Sequence, residues 1–198
     1  MTKTTDTIRV YDERASEYAE MVKADAFGDR QLQCFIDALP SGGRALDLGC
    51  GPGNAAATMA QAGLVVEATD ASAEMVTLAN KHTGVTATQA VFDDVTGSAV
   101  YDGIWANFCL LHAPRASFPT HLAALHKALK PGGTFYIGMK LGTGQGPDRL
   151  GRFYTYYSQE ELEDHMTQAG FKITDRTLGN GVGLDGKPSD WIAVTAHA

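Results

Sequence analysis

The stretch ALDLGCGPGNAA, residues 45–56, limits the fold more than any other: a short apolar run carrying one acid meets three glycines on alternate positions. The run reads as a buried strand, and the alanine-rich segment after it, Ala55–Ala62, reads as a helix ended by Gly63. Gly49, Gly51 and Gly53 lack Cβ atoms, so they admit positive φ and let a ligand rest against the main chain. A strand, glycine loop and helix in this order belong to a parallel sheet, whose ligands sit outside the carboxyl ends of its strands. The site is therefore expected around residues 47–53.

The rest of the chain keeps the alternation. Helical periodicity covers residues ~10–22 and ~27–38, with Pro40-Ser41-Gly42-Gly43 as the stop. Strands are expected at 64–70, near 86–92, at 101–110, at 134–140, at 171–178 and at 190–198. Ser72 caps a helix running to about Asn80, Phe118–Leu129 is amphipathic and stops at Pro131-Gly132-Gly133, and Ser158-Gln159-Glu160-Glu161 makes a capping box for a helix to about Ala169. The glycine-rich link between the last two strands suits an antiparallel return. Together these elements predict one α/β domain over residues 1–198, with a largely parallel sheet covered on both faces.

The glycine spacing narrows the ligand. A dinucleotide fingerprint needs a small residue six positions into the loop, but counting from Gly49 that place holds Asn54, and no Gly-Lys-Ser/Thr follows for a phosphate loop. Asp70 ends the second strand 21 residues after Gly49, where an acid can accept from ribose hydroxyls, a feature common to nicotinamide and adenosyl cofactors. The formal charge of −7 argues against a general nucleic-acid binder. No window approaches a membrane span and the first residues mix charges without an apolar core, so a cytoplasmic protein with no membrane partner is expected. Cys34, Cys50 and Cys109 are read as buried thiols, and neither they nor the histidines have metal-ligand spacing, so no metal site is inferred.

With these residues in view, the chain resembles the class I S-adenosylmethionine-dependent methyltransferases, in particular small stand-alone bacterial-type members, from about residue 10 to the end. LDLGCGPG is similar to their first motif, ATDASAEM to the ribose-binding motif, VFDDV to the adenine-binding segment, YDGIWANFCLLHAP to the strand and loop facing the substrate, and ALHKALKPGGTFYIG to their fourth helix and fifth strand. The resemblance implies a Rossmann-like three-layer sandwich whose seven-stranded sheet has the order 3-2-1-4-5-7-6, the last strand antiparallel. It implies S-adenosylmethionine as cofactor, with Asp47 toward the methionine ammonium, Gly49 and Gly51 along its methionine and ribose, Asp70 on the ribose, and Ala71 flanking adenine with Phe92. Asp93 or Asp94 would meet the adenine amino group. Cys50, Met75 and Asn107 complete the implied cofactor positions.

The same resemblance makes residues ~10–38 a helical lid, with Tyr11 and Tyr18 near the methionine end; ordinary packing of an amphipathic helix is the other reading. His112, just after the fourth strand, is the candidate catalytic residue, either a general base or a wall of the pocket. In residues 140–158 the glycines and Pro147 suggest a long mobile loop presenting Arg149, Arg152, Tyr154 and Tyr156 to an anionic or aromatic acceptor; a strand entering the next helix is the alternative. The fourth strand lacks an Asp/Asn-Pro-Pro-Tyr/Phe motif, which disfavours a flipped DNA base and leaves a small-molecule acceptor. An NAD(P)-binding oxidoreductase and a non-catalytic S-adenosylmethionine-binding module are the competing readings. Nothing in the sequence fixes an oligomeric state.

Overall fold

The computed structural model describes residues 3–22 and 26–198. Its strands are β1 (Arg44–Leu48), β2 (Val65–Asp70), β3 (Ala87–Gln89), β4 (Tyr101–Asn107), β5 (Leu129–Lys140), β6 (Gln145–Pro147), β7 (Phe153–Thr155), β8 (Lys172–Val182) and β9 (Pro188–His197). Its helices are α1 (Lys3–Glu13), α2 (Ala15–Val22), α3 (Ala26–Asp37), α4 (Asn54–Gln61), α5 (Ala73–Ala79), α6 (Phe118–Ala128) and α7 (Gln159–Gln168). Seven strands form one sheet in the order β3-β2-β1-β4-β5-β9-β8, while β6 and β7 pair only with each other. Leaving that hairpin out of the count gives 3-2-1-4-5-7-6. β9 is the reversed strand, antiparallel to both β5 and β8.

Side-chain alternation divides the sheet into its two faces. Leu46, Ile104 and Ile137 point into a core with Leu122 and Leu125 of α6, whereas their neighbours Ala45, Trp105 and Tyr136 point into a second core with Phe35 of α3 and Met59 of α4. A one-residue slip of β4 would exchange Ile104 and Trp105 between these layers, and the resulting volume mismatch, a cavity on one face and overpacking on the other, would cost on the order of 2 kcal/mol or more. Register is thereby fixed along the centre of the sheet. α4 and α5 close the β2 side through an alanine-rich cluster that includes Ala56, Ala68 and Ala79.

Where the structure departs from the expected boundaries, a local hydrogen bond or dihedral explains it. The third strand stops at Gln89 because Ala90 N–H turns to Asp70 O at 3.0 Å and the Asp94 carboxylate accepts Val91 N–H at 2.9 Å, starting a short 3-10 turn. β4 ends at Asn107 because Phe108 adopts φ +52°, a left-handed conformation that a strand cannot continue. β5 begins before Pro131, but pairing jumps from Tyr101–Leu129 to Gly103–Thr134, so the Pro-Gly-Gly stop survives as a bulge inside the strand. Residues 140–158 are a β6–β7 hairpin rather than an open loop. The expected N-terminal helical region is three helices, and its residues 23–25 lie outside the described residues. Cys34 is exposed rather than buried; Cys50 and Cys109 are buried.

Candidate active site

The glycine loop after β1 is shaped by close approach. Gly49 has φ +65°, and a Cβ built on it would lie 2.3 Å from Cys109 Cβ, so only glycine lets the main chain pass between β1 and the end of β4. The loop is then tied to β2: Gly51 N–H donates to Asp70 Oδ2 at 2.8 Å, and Ser72 N–H donates to Asp70 Oδ1 at 2.9 Å. Burial raises the Asp70 carboxyl above its ordinary range, and these N–H donors oppose the shift. These few backbone contacts still leave carboxylate lone pairs for a ligand in the cleft.

Asp47 stands beneath this loop, 2 % exposed. Its carboxylate accepts from the backbone of Ala56, but Oδ2 has no partner among the described residues. Burial pushes the carboxyl up to about 7, with the nearby Asp70 charge adding to the shift. An orphaned buried acceptor of this kind calls for a cation or donor from outside the chain.

Two chambers meet at this loop. The smaller, about 250 Å³, is lined by Asp70, Ala71, Met75, Phe92 and Asp93. The larger, about 450 Å³, is lined by Asp47, Cys50, Lys140, Arg152, Tyr154 and Trp191. Gly49, Gly51, Asn107, Phe108, Tyr11 and Tyr18 border both and form the neck between them. Phe108 carries the strained backbone at this junction, a place where strain commonly accompanies function.

The first helix covers the cleft through two sets of polar contacts. Asp12 accepts from Ser72 Oγ at 2.6 Å, while Ser72 Oγ caps α5 by accepting from Met75 N–H at 3.1 Å. His112 Nδ1 lies 2.6 Å from Phe153 O; because a carbonyl only accepts, Nδ1 carries the proton. Nε2 is therefore the acceptor of Tyr11 Oη–H at 2.9 Å, and Arg152 Nη1 donates to the same hydroxyl oxygen at 3.2 Å. Burial drives the His112 pKa down to about 4, which keeps this neutral tautomer at pH 7. Both ring nitrogens are engaged, and the ring faces the smaller chamber. Phe153 N–H donates to Thr7 Oγ1 at 2.8 Å, tying α1 to β7 directly.

The hairpin redistributes the cations expected from the sequence. Arg152 is 2 % exposed and bound to Asp148, with Nε at 2.9 Å and Nη2 at 2.7 Å from Oδ2. Its charge is neutralised inside the protein. Arg149 is exposed and Tyr156 stacks on Tyr154 at 5.8 Å, and neither lines either chamber, in contrast to the sequence expectation. Arg152 and Tyr154 do line the larger chamber. Of the two acids after β3, Asp93 reaches the smaller chamber with its side chain 82 % exposed, whereas the Asp94 carboxylate is occupied by the turn.

Sequence reasoning missed Asp12, Lys140, Phe108 and Trp191. Lys140 ends β5 and its Nζ lies 4.9 Å from the Tyr154 ring centroid. Trp191 pairs with it across β9, and the only signal for its seat was the glycine at 179, opposite it on β8. A Cβ on Gly179 would fall 2.1 Å from the indole. Among the described residues no cluster of three or more His, Cys, Asp or Glu could hold a metal ion, and no helix is long and apolar enough to cross a membrane.

Comparison with known proteins agrees with this geometry. The N1-methyltransferase of 1,6-didemethyltoxoflavin from Burkholderia thailandensis, seen with that compound and S-adenosylhomocysteine, superimposes with a TM-score of 0.79 at 22 % identity over 98 % of this chain and 87 % of that one. A putative methyltransferase in complex with the Trm112 activator from Haloferax volcanii gives 0.77 at 18 % identity, covering 97 % of each chain. An S-adenosylmethionine-dependent methyltransferase from Mesorhizobium loti gives 0.71 at 18 % identity, over 88 % and 99 %. No curated protein matches in sequence. The family model described as a methyltransferase domain matches residues 18–176. The chain belongs to the methyltransferase domain family, as a class I, S-adenosylmethionine-dependent member.

Proposed function

We propose that this enzyme methylates a small molecule held in the larger chamber, with the cofactor lying across the neck. The orphaned Asp47 carboxylate carries this reading, since it offers a buried anion beside the glycine loop for the methionine ammonium. Gly49 and Gly51 leave room along the main chain, Asp70 keeps lone pairs for ribose hydroxyls, and Ala71, Met75, Phe92 and Asp93 surround the place for adenine. When bound, S-adenosylmethionine supplies an electrophilic methyl on a sulfonium, so the chain's own task is alignment and exclusion of water. Phe108 and Asn107 set the neck through which the acceptor must be presented. Tyr11 and Tyr18 cover it as parts of a lid.

His112 serves in this scheme as a positioning residue. Its lone pair holds the Tyr11 hydroxyl and its proton holds the Phe153 carbonyl, so it joins lid and hairpin rather than taking a proton from the acceptor. Aromatic and aliphatic side chains line much of the larger chamber, with a limited set of polar groups among them, the pattern of a small-molecule pocket.

Calorimetric titration with S-adenosylhomocysteine tests the cofactor half, with NAD in parallel and Asp70→Asn as the control for the ribose contact. Micromolar binding of the first, weakened at least tenfold by the substitution, is the expected result. Transfer of a tritiated methyl group in a cell extract, followed by separation of small molecules from protein and nucleic acid, tests the acceptor class. Label confined to the macromolecular fraction would overturn the small-molecule reading.

A further inference from the structure

The larger chamber has a chemical bias of its own. Its wall at the β5 and β9 ends is aromatic: Trp191 lies across Gly179 of β8, Phe108 meets it edge to face at 6.2 Å between centroids, and Tyr154 closes the hairpin side. The indole lies there because positions 179 and 181 carry no side chain to fill its seat. Gly179 and Gly181 together make the seat, with hypothetical Cβ atoms 2.1 Å and 3.4 Å from the ring. Two glycines spent in an edge strand, where they weaken pairing, point to a ring held in position for a purpose beyond the sheet.

Two cations face this wall, and their situations differ. Arg152 is matched by Asp148 through two guanidinium contacts, from Nε and Nη2, and is charge-balanced. Lys140 forms no ion pair among the described residues. Its ammonium sits over the Tyr154 ring and close to Gly183 in the β8–β9 turn, where a Cβ would come within 2.9 Å of Nζ. Asp185 and Asp148 contribute field from outside ion-pair range, and Arg152 opposes them. A half-buried ammonium without a bonded counter-charge, placed on the wall of an aromatic chamber, has its strongest available partner in an anion entering that chamber.

We infer that the methyl acceptor is a planar aromatic anion, its ring lying against Phe108 and Trp191 and its negative group paired with Lys140. The inference rests on the methyltransferase reading for the word acceptor, but the binding preference stands on the chamber alone. Arg149 and Arg152, the cations the sequence pointed to, are not the recognising charge. The anion meets Lys140 at the C-terminal end of β5, while Asn107 and Phe108 present the ring to the neck. Asn180 and Ser189 line the same chamber and offer polar groups for ring substituents.

The test uses the full chain and three probes in calorimetry: 2-naphthoate, its neutral amide, and cyclohexanecarboxylate. Wild-type protein should bind the naphthoate at least about tenfold more tightly than either other probe, the scale of one charge-assisted contact or one aromatic contact. Lys140→Met should bring the acid-to-amide ratio to about one, Lys140→Arg should restore it, and thermal melting should show both variants folded. Gly179→Ala should weaken acid and amide alike and keep their ratio. Equal binding of acid and amide by wild type, a preference that survives Lys140→Met, or no binding of naphthoate would each overturn the inference. S-adenosylhomocysteine is titrated separately: its failure to bind would remove the methyltransferase reading and leave the anion preference intact.

Discussion

The two chambers share a neck and differ in how the chain builds them. The smaller one has its floor in the carboxyl ends of parallel strands, where backbone N–H donors of Gly51 and Ser72 hold Asp70, and the first helix covers it with Thr7, Ile8 and Tyr11. The larger one is assembled from pieces far apart in sequence: the end of β5, the β6–β7 hairpin, the β8–β9 turn and the first helices. Of its charges, Arg152 is balanced by the Asp148 side chain, whereas Lys140 has no ion-pair partner among the described residues. The contrast teaches that the floor of the cofactor end follows from the sheet itself, whereas the acceptor end is built largely from added segments held by a few long-range polar contacts.

Breaking one such contact should therefore cost most on the acceptor side. Arg152→Met leaves the Asp148 carboxylate buried without its partner, and a loss of about 3–5 kcal/mol in urea unfolding is expected. Arg152→Met combined with Asp148→Leu, which removes both charges, should recover most of that loss. If the single variant is as stable as wild type, the hairpin is held by apolar packing and the contrast between the chambers fails.

On the cofactor side the largest effect should appear in pH dependence. The folded carboxyl of Asp47 titrates at about 7 against an ordinary value of 3.8, so the folded state holds a proton that the unfolded chain releases. Its contribution to stability is full below about pH 4 and is lost as pH rises to about 7. Asp47→Asn should thus match wild type near pH 4 and exceed it by about 2–4 kcal/mol at pH 8 without cofactor, since each pK unit is worth about 1.4 kcal/mol. The same variant should bind S-adenosylhomocysteine at least about tenfold less tightly, because it offers the ammonium no charge. Near pH 6, wild-type binding should release protons, read as a dependence of the binding enthalpy on buffer ionisation. A stability difference that does not change with pH would show that Asp47 is ionised in the free protein.

This division also governs what was legible in the sequence. The glycine spacing, Asp70, the N-cap at Ser72 and the capping box at Ser158 are local signals, each carried by residues within one turn or one strand, and the strand order followed from the family those signals resemble. Lys140 and Trp191 had no local signal, because their meaning arises only when β5 and β9 lie side by side and β8 offers a glycine opposite. The arginines of the hairpin misled for the same reason. Periodicity does not reveal that Arg152 turns inward onto Asp148 four residues earlier, nor that Arg149 stays outside. His112 lines the cleft, and its hydrogen bonds come from residues 41 and 101 positions away, which no local pattern reveals.

The smallest expected effect lies where the two chambers are joined. Tyr11→Phe keeps the ring and its edge-to-face contacts with Tyr18 and His112, at 5.4 Å and 5.5 Å, and removes only the hydroxyl that links His112 to Arg152. His112 Nε2 is then a buried acceptor without its donor, so stability should fall by about 1–2 kcal/mol. A buried ring with a pKa of about 4 gains nothing by protonating near neutrality, so the loss should be level between pH 6 and 8. If α1 is a lid latched by this hydroxyl, the variant should also let proteases cut the N-terminal segment faster than global unfolding allows, and S-adenosylhomocysteine should suppress that cutting. His112→Asn supplies a neutral amide at the same place and should behave like Tyr11→Phe, whereas a large loss of methyl transfer with unchanged lid protection would return His112 to the role of base. Unchanged proteolysis in Tyr11→Phe would instead mean that α1 is a fixed wall, held by Asp12 and Thr7 without help from the hydroxyl.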